Sequence, residues 1–259
     1  MNITTDITAV NNEQKLATMR QAGSIVAEIL SILSKRAKPG MRTKELDVIA
    51  AREAKKRGAK SSFNGYHGFP ANICVSINNE VVHGIPGRRE LKEGDIISID
   101  YGVIYNGFQA DAAITVGVGR ISKKAQELIA TTRGALEAGI KAAHAGARLG
   151  DISWAIQSYV ELQRKGYKVV REYTGHGIGR DMHEEPLIPN FGLPDSGPVL
   201  KKGMTLALEP MVNTGDWRTR VGEDQWTVLT ADGSLSAHFE HTIAITDGEP
   251  EVLTKEIYA

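Results

Sequence analysis

Residues 91–100 read LKEGDIISID, and residues 200–209 read LKKGMTLALE. Each opens Leu-Lys-Xaa-Gly, runs into apolar strand-forming residues and ends on a carboxylate, Asp100 in the first and Glu209 in the second. A strand entering a core tolerates an acid less than almost any other side chain. One chain that builds such a strand twice, 109 residues apart, needs one reason for both acids.

The repeat extends on either side of the two stretches. GMRTKEL at 40–46 matches GARLGDI at 146–152, 106 residues later. Each block leads into a helix that stops at a glycine, in RG at 57–58 and in KG at 165–166. Beyond the two stretches lie DAAITVG at 111–117 and EHTIAIT at 240–246, each an acid followed by an apolar strand. Four blocks in one order imply a duplication. We therefore expect one domain over residues 1–259, with α/β halves at about 40–117 and 146–246 that share one sheet. A pseudo-twofold axis would carry equivalent positions toward the centre, and the equivalent positions are the acids.

Apolar periodicity predicts helices over 12–35 and 43–57, a third from the N-cap Ser122 to about His144, and a fourth from Asp151 to Gly166. Strands are expected at 74–77, 95–104, 111–116, 205–212, 226–229 and 241–245, with SSFNGYHGFPANI at 61–73 as loop. The composition is that of a soluble globular chain, 41% hydrophobic and 24% charged. Its 31 basic residues balance 31 acidic ones, so no long-range field draws it to nucleic acid or anionic lipid. Cys74 is the single cysteine, which rules out an internal disulfide and fits a reducing compartment. The first ten residues, MNITTDITAV, do not read as a signal peptide, and no stretch is expected to approach the roughly 18 apolar residues of a membrane span. The expectation is a cytoplasmic monomer.

If Asp100, Asp111, Glu209 and Glu240 converge, four carboxylates repel one another in a poorly solvated site, and several must hold protons. Two divalent cations cancel the four charges, which explains why both strands end in acids. His176, between glycines in TGHGIGRDMHEEP, supplies a nitrogen donor. An oxygen-rich set with one imidazole and no thiolate suits manganese, iron or cobalt as well as zinc, and suits structural zinc poorly. Taken singly, each residue has a plainer reading: Asp100 as a solvated strand end, Asp111 as a loop acid, Glu209 as a strand exit before proline, His176 as a loop histidine. Paired placement in both halves argues against all of these together. GHGIGR is not a dinucleotide fingerprint, because Arg180 stands where the third glycine is needed. His83 and His183, and more weakly His67, are candidates for hydrogen bonding and proton transfer beside such a centre. His238 and His241 flank Glu240 and are expected to face away from it.

The motifs NGYHGFP, SINNEVVHGIP, GDIISIDYG, GFQADAAITV, GHGIGRDMHEEP, LALEPMV and SAHFEHTIAIT span about residues 60–246. In them the chain resembles the type I methionine aminopeptidases in their short bacterial form. The resemblance implies a pita-bread fold: an α/β (α+β) architecture of two pseudo-twofold-related halves with a central antiparallel sheet covered by helices. It implies that Asp100 and Asp111 hold one divalent ion, that Asp111 and Glu240 bridge to a second, and that His176 and Glu209 complete the second site. The ions would be cobalt, manganese, iron or zinc. The implied reaction removes the initiator methionine from nascent proteins and peptides when the second residue is small, through a metal-bridging hydroxide. His83 and His183 would contact the substrate, and Glu209 would shuttle the proton. Phe63, Tyr66, Phe69, Cys74, Met182 and Trp226 would wall the methionine pocket, with His67 nearby. Phe63, Phe69 and Met182 depart from the residues frequent in bacterial members (cysteine, tyrosine and phenylalanine), so the pocket should differ in shape. Implied partners are nascent N-termini and, where those emerge, the ribosome surface, with no nucleic-acid specificity and no membrane. Two rivals share the fold: a peptidase that cuts before proline, and a binding protein without metal.

Overall fold

A computed structural model describes residues 12–162 and 165–255. The N-terminal stretch MNITTDITAV lies outside the described residues. Helix α1 (Asn12–Arg36) buries Met19, Ala22, Val26, Ile29 and Leu33 completely, spaced three or four apart on one face. By length and composition α1 is apolar enough to cross a membrane, which corrects the expectation that no stretch comes near. Here its apolar face instead packs across the two central strands Ile96–Tyr105 and Phe108–Gly117. Helix α2 (Thr43–Lys56) starts where the Glu45 carboxylate accepts the Arg42 backbone N–H at 2.8 Å. Helix α3 (Lys123–Ala142) is capped as expected, the Ser122 hydroxyl accepting from the Ala125 N–H. Helix α4 (Leu149–Leu162) begins before Asp151; that residue sits within the first turn and accepts the Arg148 N–H at 2.7 Å.

The main sheet has nine strands among the described residues, all paired antiparallel. Its path runs Lys60–Ser61, Ile96–Tyr105, Phe108–Gly117, Glu240–Ala244, Thr205–Leu208, Thr174–Gly177 and Glu184–Pro189. Cys74–Ile77 adds beside Ile96–Tyr105, and Glu251–Val252 beside Glu240–Ala244. About the central seam between the Asp111 and Glu240 strands the order reads the same from either side: seam strand, the strand of Asp100 or the one leading into Glu209, short buried strand; Asp100 falls mid-strand, since Ile96–Tyr105 runs five residues past it. The back of the sheet, with Ile97, Ile99, Tyr101 and Val103 at 0% exposure, carries the core under the helices.

Matched hydrogen bonds join the repeated blocks. Gly40 N–H donates to Leu91 O at 2.8 Å, and Gly146 N–H to Leu200 O at 3.0 Å. Leu91 N–H returns to Met41 O at 2.9 Å, and Leu200 N–H to Ala147 O at 2.8 Å. Gly94 N–H reaches Val118 O and Gly203 N–H reaches Ile245 O, both at 2.9 Å. Gly94 and Gly203 have φ of +92° and +87°, a left-handed turn that glycine adopts without strain. The turn that launches each of the two strands, toward Asp100 and toward Glu209, is therefore built the same way twice.

Three strands differ from expectation. The predicted 205–212 strand breaks at Glu209–Pro210, since proline has no N–H for the ladder. Thr205–Leu208 stays in the main sheet. Met211–Asn213 leaves to pair with Ser236–His238 and Lys168–Val169 in a separate sheet. The 226–229 strand begins only at Val228, leaving Trp226 outside it. His176 lies in a strand rather than a glycine loop.

Candidate metal centre and active site

Register alone brings the acids together. In a strand, alternate side chains share a face, and antiparallel partners sit side by side on it. Cys74 pairs with Asp100, Asp100 with Ala113, and Ala113 with Glu240. Leu208 pairs with His241, so Glu209, one step on, stands beside Glu240. The next row along the same face runs Gly102, Asp111, Thr242, Ala207 and His176. Its ladder is Asp111 opposite Gly102, Thr242 opposite Ala207, and Ala207 opposite His176. Thr242 closes that row by hydrogen bonding, its hydroxyl accepting from Asp111 N–H and donating to Asp111 O at 2.9 and 2.8 Å. Small residues (Gly102, Ala113, Ala207) fill the positions between, which leaves room in front of the face.

Two glycines let the His176 strand come this close. A Cβ on Gly175 would lie 2.4 Å from Ala207 O, and one on Gly177 would lie 2.3 Å from Glu185 O. His176 donates from Nδ1 to Gly177 O at 2.9 Å, because a carbonyl can only accept. Its Nε2 therefore presents a lone pair, 3.7 Å from Glu209 Oε1. Two electron-rich atoms at that distance need a cation or a proton between them.

Asp111, His176 and Glu240 each offer a donor atom within 4.8 Å of the other two, and all three are buried. Asp100 Oδ1, Asp111 Oδ1 and Glu240 Oε1 are buried without a hydrogen-bond partner. Burial, then the neighbouring carboxylates, pushes Asp100, Glu209 and Glu240 well above the usual carboxylate range. Burial raises Asp111 to about 7, against an opposing hydrogen bond from the Ala112 backbone. Burial also holds His176 neutral, its pKa lowered to about 4. A neutral imidazole and unpartnered carboxylate oxygens facing one point fit a divalent cation.

The face opens into a cavity of about 200 Å³ lined by every residue singled out from the sequence. Asp100, Asp111, His176, Glu209 and Glu240 form its floor. Phe63, Tyr66, Phe69, Cys74, Met182 and Trp226 form an apolar wall that packs apart from the main core. Phe69 meets Phe63 and Trp226 edge to face at 6.5 and 5.2 Å. His67, His83 and His183 line the same cavity. His183 Nδ1 lies 2.7 Å from the Tyr66 hydroxyl, and its ring is 4.3 Å from that of His176. His83 lies edge-on to Tyr173 at 5.7 Å, and burial lowers its pKa to about 4.

The expectation for His238 needs correction. His241 does turn away, to the Thr254 hydroxyl at 2.9 Å. His238 does not: it is 1% exposed, with Nε2 3.8 Å from Glu209 Oε2. The two-residue strand period could have shown this, because 238 and 240 have the same parity. Thr242 was missed as well; the same parity places it on the face.

A cation held among these carboxylates would face an apolar pocket walled by Phe63, Phe69, Met182 and Trp226, an arrangement suited to a metallopeptidase. The chain belongs to metallopeptidase family M24, whose profile matches residues 17–247. It is 53% identical to the methionine aminopeptidase of Clostridium perfringens over 245 residues, 95% of this chain and 98% of that one. It is also 53% identical to methionine aminopeptidase 1 of Bacillus subtilis over 242 residues, 93% and 97% of the two chains. The solved methionine aminopeptidase from Thermotoga maritima superposes with a TM-score of 0.93 at 47% identity, over 96% of this chain and 99% of that one. A prolidase from Pyrococcus furiosus, 20% identical, shares the fold with a TM-score of 0.75, but this chain covers only 64% of its length. The architecture is the pita-bread fold, and the chain is an enzyme of the metal-dependent hydrolase class.

Proposed function

We propose that this protein is a methionine aminopeptidase: it removes the N-terminal methionine of nascent proteins and peptides whose second residue is small. The observation that carries the reading is the apolar wall of Phe63, Phe69, Met182 and Trp226 set directly over the carboxylate and imidazole floor. Asp100 and Asp111 would hold one divalent ion, Asp111 and Glu240 would bridge to a second, and His176 and Glu209 would complete it. Manganese, cobalt, iron and zinc all suit the donors. When bound, such ions supply an acidified water and a polarised carbonyl at neutral pH.

The residues do the rest. The wall takes the methionine side chain, whose thioether packs well against aromatic edges. The Tyr66 phenol, kept protonated by burial, donates to His183 Nδ1, which leaves the His183 proton on Nε2. That N–H is free to donate to the oxygen that gains charge as the peptide carbonyl is attacked. His83, held neutral, donates to or accepts from the scissile amide nitrogen. Glu209 would carry a proton to the leaving amine.

Action in the cytoplasm on nascent chains, at the ribosome surface and as a monomer, belongs to the same proposal; the balanced charge supports only the absence of a general pull toward nucleic acid or membrane. The matched turns support a single catalytic domain over 1–259 with related halves at about 40–117 and 146–246. The test uses protein stripped with chelator and reloaded with manganese or cobalt, offered Met-Gly-Met-type and Xaa-Pro peptides. Release of methionine only in loaded protein is expected. Cleavage of the proline peptide alone would support a proline-directed peptidase, and no cleavage with any metal a binding protein.

A further inference from the structure

His238 has no assigned part, yet its setting is unusual for a core histidine. It is 1% exposed, and neither ring nitrogen has a hydrogen-bond partner. A neutral imidazole always carries one N–H, and a buried donor left unmade is costly. The residue cannot turn away to find one. Its backbone is clamped to Thr115, whose hydroxyl accepts from His238 N–H at 2.9 Å and donates to His238 O at 2.7 Å. Thr115 is held in turn by Ser98 at 2.8 Å.

Glu209 lies between two imidazoles. Its Oε1 faces the His176 lone pair at 3.7 Å, and its Oε2 faces His238 Nε2 at 3.8 Å. The first oxygen is the one on the proposed cation's side. The second is left for a donor, and His238 holds the nearest unused one. The break at Pro210 takes Glu209 out of the ladder, its carbonyl accepting instead from the Asn190 amide at 3.1 Å, so no strand partner sets the direction of its side chain.

We propose that His238 is a positioning residue for Glu209. Its Nε2–H closes onto Oε2 when the carboxylate engages a cation, and so keeps Oε1 turned toward His176. Apo active sites often show such bonds long, tightening when the site fills. Partners of this kind change metal affinity by about 10- to 100-fold when removed. The inference rests on the proposed metal-centred reading, and the experiment separates the two.

Two variants of similar volume isolate the hydrogen bond: His238→Gln keeps a donor within reach of Oε2, and His238→Met has none. Calorimetric titration of the stripped full-length protein with manganese alone gives the first readout, and kcat and KM on a methionyl peptide the second. His238→Met is expected to bind one ion about tenfold more weakly and to lose kcat with KM near wild type. His238→Gln is expected to recover both. If His238→Met does not fold, His238→Asn, whose amide stops short of Oε2, takes its place. Manganese binding unchanged in the donor-less variant would overturn the inference, as would an equal loss in His238→Gln. Wild-type protein that binds no ion and releases no methionine would instead sink the proposed function itself.

Discussion

His83 and His183 line the cavity beside the carboxylates but fall outside the group of Asp111, His176 and Glu240 whose donor atoms converge. Removing either should therefore spare the cation and harm the chemistry. We expect His83→Ala and His183→Ala to keep wild-type manganese binding by titration and to lose about 10²- to 10³-fold in kcat. Weakened binding in either variant would show that the ring is a ligand. Tyr66→Phe probes the same point more gently. It removes only the hydroxyl that lies 2.7 Å from His183 Nδ1, and should lower kcat with little change in the apolar pocket. At this scale the sequence is informative about residue type and poor about direction. The four acids are legible because a duplicated pattern singles them out, and His176 because it stands between glycines in TGHGIGRDMHEEP. His238 is easily misread, because flanking an acid suggests facing away from it, when strand parity says the reverse.

At the scale of elements, the site depends on one close strand approach. Gly177 faces backbone carbonyls rather than flexible side chains, and a methyl added there would lie 2.3 Å from Glu185 O. Neither strand can give without losing ladder bonds. Gly177→Ala should cost about 1–3 kcal/mol, seen as a lower thermal midpoint in chelator, where metal binding cannot contribute. A midpoint equal to wild type would mean the strands can part cheaply. Helix ends are legible to within a few residues, because Ser122, the two turn glycines and the charged first turns carry local signals. Short strands are not: Glu80–Val82 and Thr174–Gly177 owe their form to partners far along the chain, in Val228–Thr230 and Thr205–Leu208. Pro210 is plain in the sequence, yet its effect, turning Glu209 off the ladder, emerges only with the second sheet in view.

For the whole molecule, four raised carboxylates tie stability to pH. Asp111 has a folded pKa of about 7, against about 3.9 unfolded. Through that window the folded state binds more protons at Asp111, and the stability this group contributes to the metal-free protein falls as pH rises. Asp100, Glu209 and Glu240 shift the same way. Below about pH 6.5 the buried histidines His83, His176 and His238, lowered to about 4, 4 and 3, oppose the carboxylates, so scanning calorimetry in chelator should show the midpoint dropping from about pH 6.5 to about pH 8. Added manganese should raise the midpoint more at pH 8 than at pH 5, because protons no longer compete for the carboxylates. A metal-free midpoint that climbs above about pH 6.5, where the histidines no longer titrate in either state, would contradict the buried placement of these carboxylates.

The seam of the sheet has a further consequence. Asp111 and Thr242, 131 residues apart, already clasp each other across it. The chain has one cysteine, so no covalent staple can join its halves. A cation gripped by Asp111 from one half and Glu240 from the other would act as a removable cross-link, closing a long loop much as a disulfide does. Chelation would then loosen the molecule along its own midline, and the catalyst and the rivet would be the same ion.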